Sequence, residues 1–132
     1  MAKSFEYAAT LDAEGRLLAD GSMLEPEEAW TPEHLVLAGL MRCTLKSLRF
    51  HAERANVAVR GSAAAEGVVT KREDGRFGFV ELECGLDVQL DPLPEGSALT
   101  ELLDLAERDC FVGASLTPPP RYEWRVNGEV AR

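Results

Sequence analysis

The clearest pattern in the chain is a strict two-residue alternation between positions 80 and 90. Apolar side chains occupy the even positions and mostly polar ones the odd positions, as in a strand with one buried face. The even positions are Val80, Leu82, Cys84, Leu86, Val88 and Leu90. A looser alternation from Val57 to Thr70 precedes it, and Glu73-Asp74-Gly75 supplies turn residues between the two. We therefore predict a long antiparallel hairpin.

Two amphipathic stretches predict helices on either side of this hairpin. Thr31-Pro32-Glu33 offers a hydroxyl N-cap, a proline at the first helical position and an acid in the first turn. We expect this helix to reach about Ala55, with Thr44 among the positions of its apolar face. The polar stripe of the helix consists of Arg42, Lys46, Arg49 and Glu53. After the breaker at 91–94, a second helix from about Ser97 is predicted to bury Leu99, Leu102, Leu103, Ala106 and Cys110.

Shorter strands are predicted towards the two ends of the chain. Residues 5–11 and 16–19 flank a glycine turn and predict a hairpin, whereas residues 20–30 have no clear periodicity and predict a loop. Three prolines at 118–120 precede a final strand, Tyr122–Val126. The elements together predict one α+β domain over residues 1–132, with an antiparallel sheet and a long central helix.

Composition narrows the range of functions. The 132 residues suit one domain, and 45% apolar with 28% charged residues is an ordinary globular balance. A net charge of −9 argues against binding to nucleic acid or to an anionic membrane, because both need clustered cations. The N-terminal residues lack the apolar core of a secretory signal, and no run approaches the length of a membrane span. With only three cysteines and no such signal, we expect a cytoplasmic protein.

The residues that could bind metals or cofactors form no recognisable site. The three cysteines, Cys43, Cys84 and Cys110, include no C-x-x-C pair, and we interpret His34 and His51 as solvated side chains far from any zinc-binding spacing. No glycine-rich phosphate loop lies between a strand and a helix. We expect neither a metal nor a nucleotide cofactor. Cys84, on the buried face of its strand, is interpreted as core packing.

Two cysteine-containing segments resemble the OsmC/Ohr family of small bacterial hydroperoxide reductases. Residues 31–43, T-P-E-H-L-V-L-A-G-L-M-R-C, are similar to the family's N-P-E-x-L motif followed by a cysteine ten residues after the glutamate. Residues 102–110, L-L-D-L-A-E-R-D-C, are similar to the segment before the family's second cysteine. The resemblance spans about residues 31–126. It implies an OsmC-like fold and an intertwined homodimer whose site lies between the chains.

The resemblance also implies a chemistry. Cys43 would be the thiol that an organic hydroperoxide oxidises to a sulfenic acid, and Cys110 would condense with it to a disulfide that small or lipoyl-type thiols reduce. Glu33 and an arginine near the N-terminus would complete the site, and Arg16 is the candidate. Two positions depart from the family's pattern. The number of residues between Arg16 and Asp20-Gly21 does not fit the fullest Ohr pattern, and Phe111 replaces the proline that usually follows the second cysteine.

Two interpretations follow for Cys43. A free cysteine is commonly a small buried hydrophobe. Arg42 is adjacent, however, and Lys46 lies one turn away, and cations stabilise a reactive thiolate.

Glu33 lies about 15 Å from Cys43 along a straight helix, which is too far for direct contact. The acid could act through a bridging arginine, through a bend near Gly39, or from the partner subunit.

The sequence thus predicts a thiol-dependent peroxidase that protects against oxidative stress. Apolar side chains such as Leu40 and Phe50 are expected to favour organic hydroperoxides over hydrogen peroxide. The alternative is a non-catalytic OsmC-like domain that binds a small molecule and keeps a degenerate peroxidase site.

Overall fold

The computed structural model describes residues 2–132, which divide into two compact units, Met1–Glu33 and His34–Arg132. The first unit contains a three-stranded antiparallel sheet in the order β1-β2-β3. Its strands are β1 (Thr10–Leu11), β2 (Leu17–Ala19) and β3 (Ser22–Leu24). The assignment of residues 1–132 to a single domain stays a prediction.

The sheet of the first unit confirms one predicted hairpin and adds another. The β1–β2 hairpin is present, although β1 begins at Thr10 rather than near Phe5. The prediction of a loop over residues 20–30 is wrong for β3. Asp20 and Gly21 both have positive φ, 48° and 75°, which is the conformation of a two-residue turn that Asp-Gly favours.

The predicted long helix is α1 (Pro32–Arg54), which belongs to the second unit from His34 onward. Proline occupies its first position, and the predicted polar stripe is exposed along its whole length. Its buried side chains are Leu40, Thr44, Ser47, Leu48 and Ala52. Asn56 ends the helix with a positive φ of 58°, and the Val57 amide returns to the Ala52 carbonyl at 2.8 Å. This is the left-handed cap that stops a helix and redirects the chain.

A four-stranded sheet follows α1, in the order β4-β5-β6-β7. Its strands are β4 (Ala58–Lys71), β5 (Phe77–Asp91), β6 (Arg121–Val126) and β7 (Glu129–Val130). β4 and β5 form the predicted long antiparallel hairpin, with a register shift at Val68/Val69. The predicted antiparallel sheet has one exception, since β6 runs parallel to β5. A parallel neighbour requires a long crossover connection, and the segment between β5 and β6 provides it.

The crossover contains α2 (Ser97–Arg108) and α3 (Phe111–Ser115). The prediction that Cys110 lies on the second helix is wrong, because α2 ends at Arg108 and Cys110 has extended backbone angles between the two helices. Its side chain accepts a hydrogen bond from the Gly113 amide at 3.3 Å, as an N-cap does. Cys110 is nevertheless fully buried, as predicted.

One apolar cluster joins the helices to the inner face of this sheet. The alternation in β5 is confirmed from Leu82 onward, whereas Val80, predicted to be buried, is 37% exposed. The cluster also contains Trp124 and Val126 of β6, and its helical members are Leu40, Leu48, Ala52, Leu102, Leu103 and Ala106. Within residues 2–132, no helix combines the length and apolar character that a membrane span requires.

Asn127 provides a test of how β5 and the β6–β7 turn are held together. Its side chain accepts a hydrogen bond from the Leu90 amide at 2.7 Å and donates one to the Leu90 carbonyl at 3.1 Å. We expect Asn127→Ala to lower the free energy of unfolding by about 1–3 kcal/mol, because both backbone groups of Leu90 lose their partner. Denaturant titration measures this change.

Asn56→Ala is the matched control, because Asn56 also has a positive φ. The Asn56 side chain makes no hydrogen bond that the structure shows among residues 2–132. The loss of stability in this variant therefore comes only from placing alanine at a positive φ. Equal losses in both variants would show that the bonds to Leu90 do not stabilise the fold.

Candidate active site

The second unit brings Cys43 and Cys110 together. Cys43 lies on α1 and is half-buried, whereas Cys110 lies between α2 and α3 and is buried completely. The Val112 amide, two residues beyond Cys110, donates a hydrogen bond to Cys43 Sγ at 3.5 Å. The Cys110 thiol also interacts directly with that of Cys43, and this contact raises the pKa of Cys43. The two cysteines singled out from the sequence therefore share one site.

Cys110 is enclosed by groups that can form hydrogen bonds. Its sulfur accepts the Gly113 amide at 3.3 Å and lies 3.4 Å from Thr44 Oγ1. The Thr44 hydroxyl donates its own proton to the Leu40 carbonyl at 2.8 Å. In the reduced protein the Cys110 thiol is therefore the donor to Thr44. Sequence reasoning placed Thr44 among the apolar positions of the helix and missed this role.

The electrostatics of Cys43 differ from the sequence-based expectation. Burial raises the pKa of Cys43, the Val112 and Phe111 amides lower it, and the Cys110 thiol raises it again, with a net shift upward. Arg42 and Lys46 were expected to favour the thiolate, but both side chains are exposed and the direction of the shift is the opposite one. In the surroundings that the second unit provides, Cys43 is a protonated thiol at neutral pH.

A third cysteine and a tyrosine complete the cluster. Cys84 is fully buried in β5, as predicted, and burial raises its pKa to about 11. Tyr122 lies beside Cys84 in the register of β5 and β6. Burial is also the main cause that raises the pKa of Tyr122, followed by the neighbouring Cys110. The Tyr122 hydroxyl is buried and has no hydrogen-bond partner among residues 2–132. Tyr122 was predicted to lie in the final strand, but no pattern in the sequence indicates that it neighbours Cys84 and Cys110.

Arg16 and Glu33 belong to the first unit. The Arg16 guanidinium forms an ion pair with Asp12, with Nε 2.7 Å from Oδ2, and Asp12 also accepts the Arg16 amide. Hydrogen bonds from Arg16 are the largest causes that lower the pKa of Asp12. Glu33 is an exposed acid in the first turn of α1. The roles of Arg16 and Glu33 towards Cys43 stay predictions.

Leu40 and Phe50, the two apolar side chains expected to favour organic hydroperoxides, have different surroundings in the structure. Leu40 is fully buried in the core, where its carbonyl accepts the Thr44 hydroxyl. Phe50 is 55% exposed, and its ring contacts His51 and the Arg54 guanidinium instead.

His51 is not the solvated side chain that the sequence suggested. Its Nε2 lies 2.7 Å from Asp109 Oδ2, and its side chain is only 13% exposed. Asp109 immediately precedes Cys110, and Arg108 followed by His51 contributes to the lowered pKa of Asp109. This pair fixes the Cys110 segment to α1, and it was not foreseen because 58 residues separate its members. Among residues 2–132, no group of three or more potential ligands could hold a metal ion.

The burial of the three thiols predicts an order of alkylation. We expect iodoacetamide to modify Cys43 first, because it is the only one of the three that is not fully buried. Since the pKa of Cys43 is raised, its modification should accelerate as the pH rises above about 8.5, the ordinary thiol value. Peptide mass spectrometry of the native protein across this pH range measures the order. Faster modification of Cys84 would contradict the burial of that thiol, and a rate at Cys43 already maximal near neutral pH would show that a cation from outside the second unit lowers its pKa.

Comparison with solved structures identifies the fold. An OsmC-like protein of unknown function from Vibrio cholerae superposes with a TM-score of 0.75 at 16% identity, over 92% of this chain and 99% of that one. An OsmC-like protein from Mycoplasma pneumoniae gives a TM-score of 0.67 at 17% identity, over 96% and 97%. An organic hydroperoxide resistance protein from Elizabethkingia anophelis gives 0.62 at 20% identity, over 96% and 98%. The predicted α+β OsmC-like fold is confirmed.

Comparison of the sequence with other proteins and with family models identifies the family. No curated protein matches the chain. The family model described as OsmC-like protein matches residues 25–125, which include both Cys43 and Cys110. Because this match covers most of the chain, the resemblance seen in the two cysteine segments is confirmed, and the protein belongs to the OsmC-like family.

Proposed function

We propose that the protein is a thiol-dependent peroxidase that reduces organic hydroperoxides. The observation that carries the proposal is the shared site of Cys43 and Cys110, in a family that includes organic hydroperoxide resistance proteins. Reactive cysteines are typically accessible in part, and a second thiol close by protects them from over-oxidation. Cys43 and Cys110 fit these two descriptions respectively.

The reaction divides into two oxidative steps. The Cys43 thiol loses its proton, and the thiolate attacks the terminal oxygen of the hydroperoxide. The O–O bond breaks, the alkoxide takes up a proton and leaves as an alcohol, and Cys43 becomes a sulfenic acid. The Cys110 sulfur then attacks the Cys43 sulfur, expels the hydroxyl as water and forms a disulfide. A small or lipoyl-type thiol reductant returns both cysteines to the reduced state, and no metal or nucleotide takes part in the proposal.

Efficient attack requires a cation near Cys43. The net effect of burial and of the groups around Cys43 is to raise its pKa, so the thiolate needs a positive charge that these groups do not supply. The proposal assigns this charge to Arg16 and the positioning of that arginine to Glu33. α1 continues without a break from Pro32 to Arg54. We therefore propose that the acid acts through a bridging arginine or from the partner subunit.

A non-catalytic binding domain is the second candidate. It is favoured by the raised pKa of Cys43, since a protonated thiol reacts slowly with peroxides. Phe111, where the family usually has proline, is 52% exposed beside Cys110 and would then contribute to a binding surface. Inert thiols in the experiment below would support this candidate.

Cysteine variants separate the two candidates. We expect Cys43→Ser to abolish the consumption of cumene hydroperoxide in the presence of a dithiol, because serine cannot form the sulfenic acid. Cys84→Ser is the matched control and should retain activity, because Cys84 is a buried core residue with a pKa of about 11. Free-thiol counting after one equivalent of peroxide should show the loss of the Cys43 and Cys110 thiols together.

Cys110→Ser should keep the first turnover and then stop. Without a resolving thiol, excess peroxide should drive Cys43 to sulfinic acid. Equal loss of activity in the Cys43 and Cys84 variants, or unchanged thiols in the wild type, would contradict the peroxidase.

The proposed assembly is a homodimer in the cytoplasm. Several large apolar side chains of the second unit are exposed, and such patches commonly mark interfaces. They lie on α1 at Phe50 and near the turn of the β4–β5 hairpin at Val68, Val69, Phe77 and Val80. We expect sedimentation to show a dimer at micromolar concentration. Phe77→Glu should weaken it, whereas Leu93→Glu, on a separate exposed loop, should not. A wild-type monomer would contradict the assembly.

A further inference from the structure

The Tyr122 hydroxyl is a buried group that can donate a hydrogen bond. It has no hydrogen-bond partner among residues 2–132, and leaving such a group unpaired costs free energy. It lies directly over Gly113, where an added methyl group would overlap the hydroxyl and approach Cys110 Sγ to 3.3 Å. The hydroxyl and the Cys110 sulfur therefore flank the same glycine, with no side chain of Gly113 between them.

The groups around Cys110 include hydrogen-bond donors that a negatively charged sulfur can use. As a thiol, Cys110 donates to Thr44 and accepts the Gly113 amide. A thiolate has no proton to give and accepts several hydrogen bonds, and charged acceptors form the stronger ones. The Tyr122 hydroxyl is the donor not engaged elsewhere, and burial keeps it protonated by raising its pKa.

The exposure of the two sulfurs is also unequal. Cys43 is partly accessible, whereas Cys110 has no exposed surface and lies beneath Thr44, Gly113 and Tyr122. An external thiol must approach a disulfide sulfur along the S–S axis from the side opposite the leaving sulfur. Only Cys43 offers that access in the second unit.

We propose that an external thiol reduces the Cys43–Cys110 disulfide by attacking Cys43, and that Cys110 leaves as a thiolate stabilised by the Tyr122 hydroxyl and the Gly113 amide. Tyr122 thereby becomes a catalytic residue of the reductive half-reaction. This inference rests on the proposed function only in assuming that the two cysteines form a disulfide.

The electrons balance over two exchanges. The thiolate of the reductant bonds to Cys43 Sγ, the S–S bond breaks, and its electron pair remains on Cys110 Sγ. A second reductant thiolate then attacks the external sulfur of the mixed disulfide and releases Cys43. The reductant is oxidised to its disulfide by two electrons, and Tyr122 donates a hydrogen bond without losing its proton.

The first test locates the mixed disulfide. Cys84→Ser protein is oxidised with diamide, which makes the disulfide without any peroxide chemistry, and is then treated briefly with 2-mercaptoethanol and quenched in acid. Peptide mass spectrometry should find the mercaptoethanol adduct on Cys43. An adduct on Cys110, or on both cysteines equally, would overturn the proposal, as would the failure of diamide to link the two.

The second test removes the hydroxyl. We expect Tyr122→Phe to slow reduction of the diamide-made disulfide about tenfold or more, because the leaving thiolate loses a charged hydrogen bond. The stability of the reduced protein should be unchanged or higher, since the hydroxyl is unpartnered there. Tyr7→Phe, at a side chain 78% exposed, is the matched control.

The outcomes separate a catalytic role from a structural one. An unchanged rate of reduction, with or without a loss of stability, would overturn the role of Tyr122. If hydroperoxide fails to form the disulfide but diamide succeeds, the peroxidase proposal fails, and the two tests above still decide the reductive chemistry.

Discussion

The site depends on the burial of Cys110 where α2 gives way to α3. The side chain of Cys110 caps α3 through the Gly113 amide, and the next amide back, that of Val112, reaches Cys43. The same short segment thus holds one thiol and contacts the other. The hydrogen bond between His51 and Asp109 also fixes this segment to α1. These contacts bring together two cysteines that belong to different elements of the fold.

This arrangement has an electrostatic consequence for Cys43. Burying the two thiols next to each other makes a disulfide accessible, but it also raises the pKa of Cys43, because neither desolvation nor a neighbouring thiol favours a charge. The backbone amides of Phe111 and Val112 offset this effect only in part. A peroxidase built on this scaffold therefore needs a cation from outside the cluster, whereas a binding domain does not. Whether such a cation is supplied therefore distinguishes the two proposed functions.

Much of the fold follows from local pattern. Pro32 marks the start of α1, and the alternation ending at Leu90 specifies the buried face of β5, because both signals involve only neighbouring residues. The short strands β3 and β7 were missed, although Asp20-Gly21 and Asn127-Gly128 are typical of two-residue turns, and all four residues have positive φ. The parallel direction of β6 could not be predicted, since alternation is the same for both directions.

The site was predictable to a lesser degree. The family resemblance identified Cys43 and Cys110, and the structure brings them together. Thr44 and Tyr122 looked like core positions, because a pattern of buried side chains does not show which polar atoms meet. The break of the helix before Cys110 was also missed, since Asp109 and Cys110 continue the helical periodicity of α2. These features arise from contacts between distant segments, which a single sequence does not reveal.

The measurement that tests the central claim most directly is disulfide mapping of wild-type protein after one equivalent of an organic hydroperoxide. If Cys43 and Cys110 form a peroxidatic pair, non-reducing peptide mass spectrometry finds them linked to each other, with Cys84 still a free thiol. Cys43 oxidised but not linked to Cys110 would contradict the resolving role, and three unmodified cysteines would contradict the peroxidase itself.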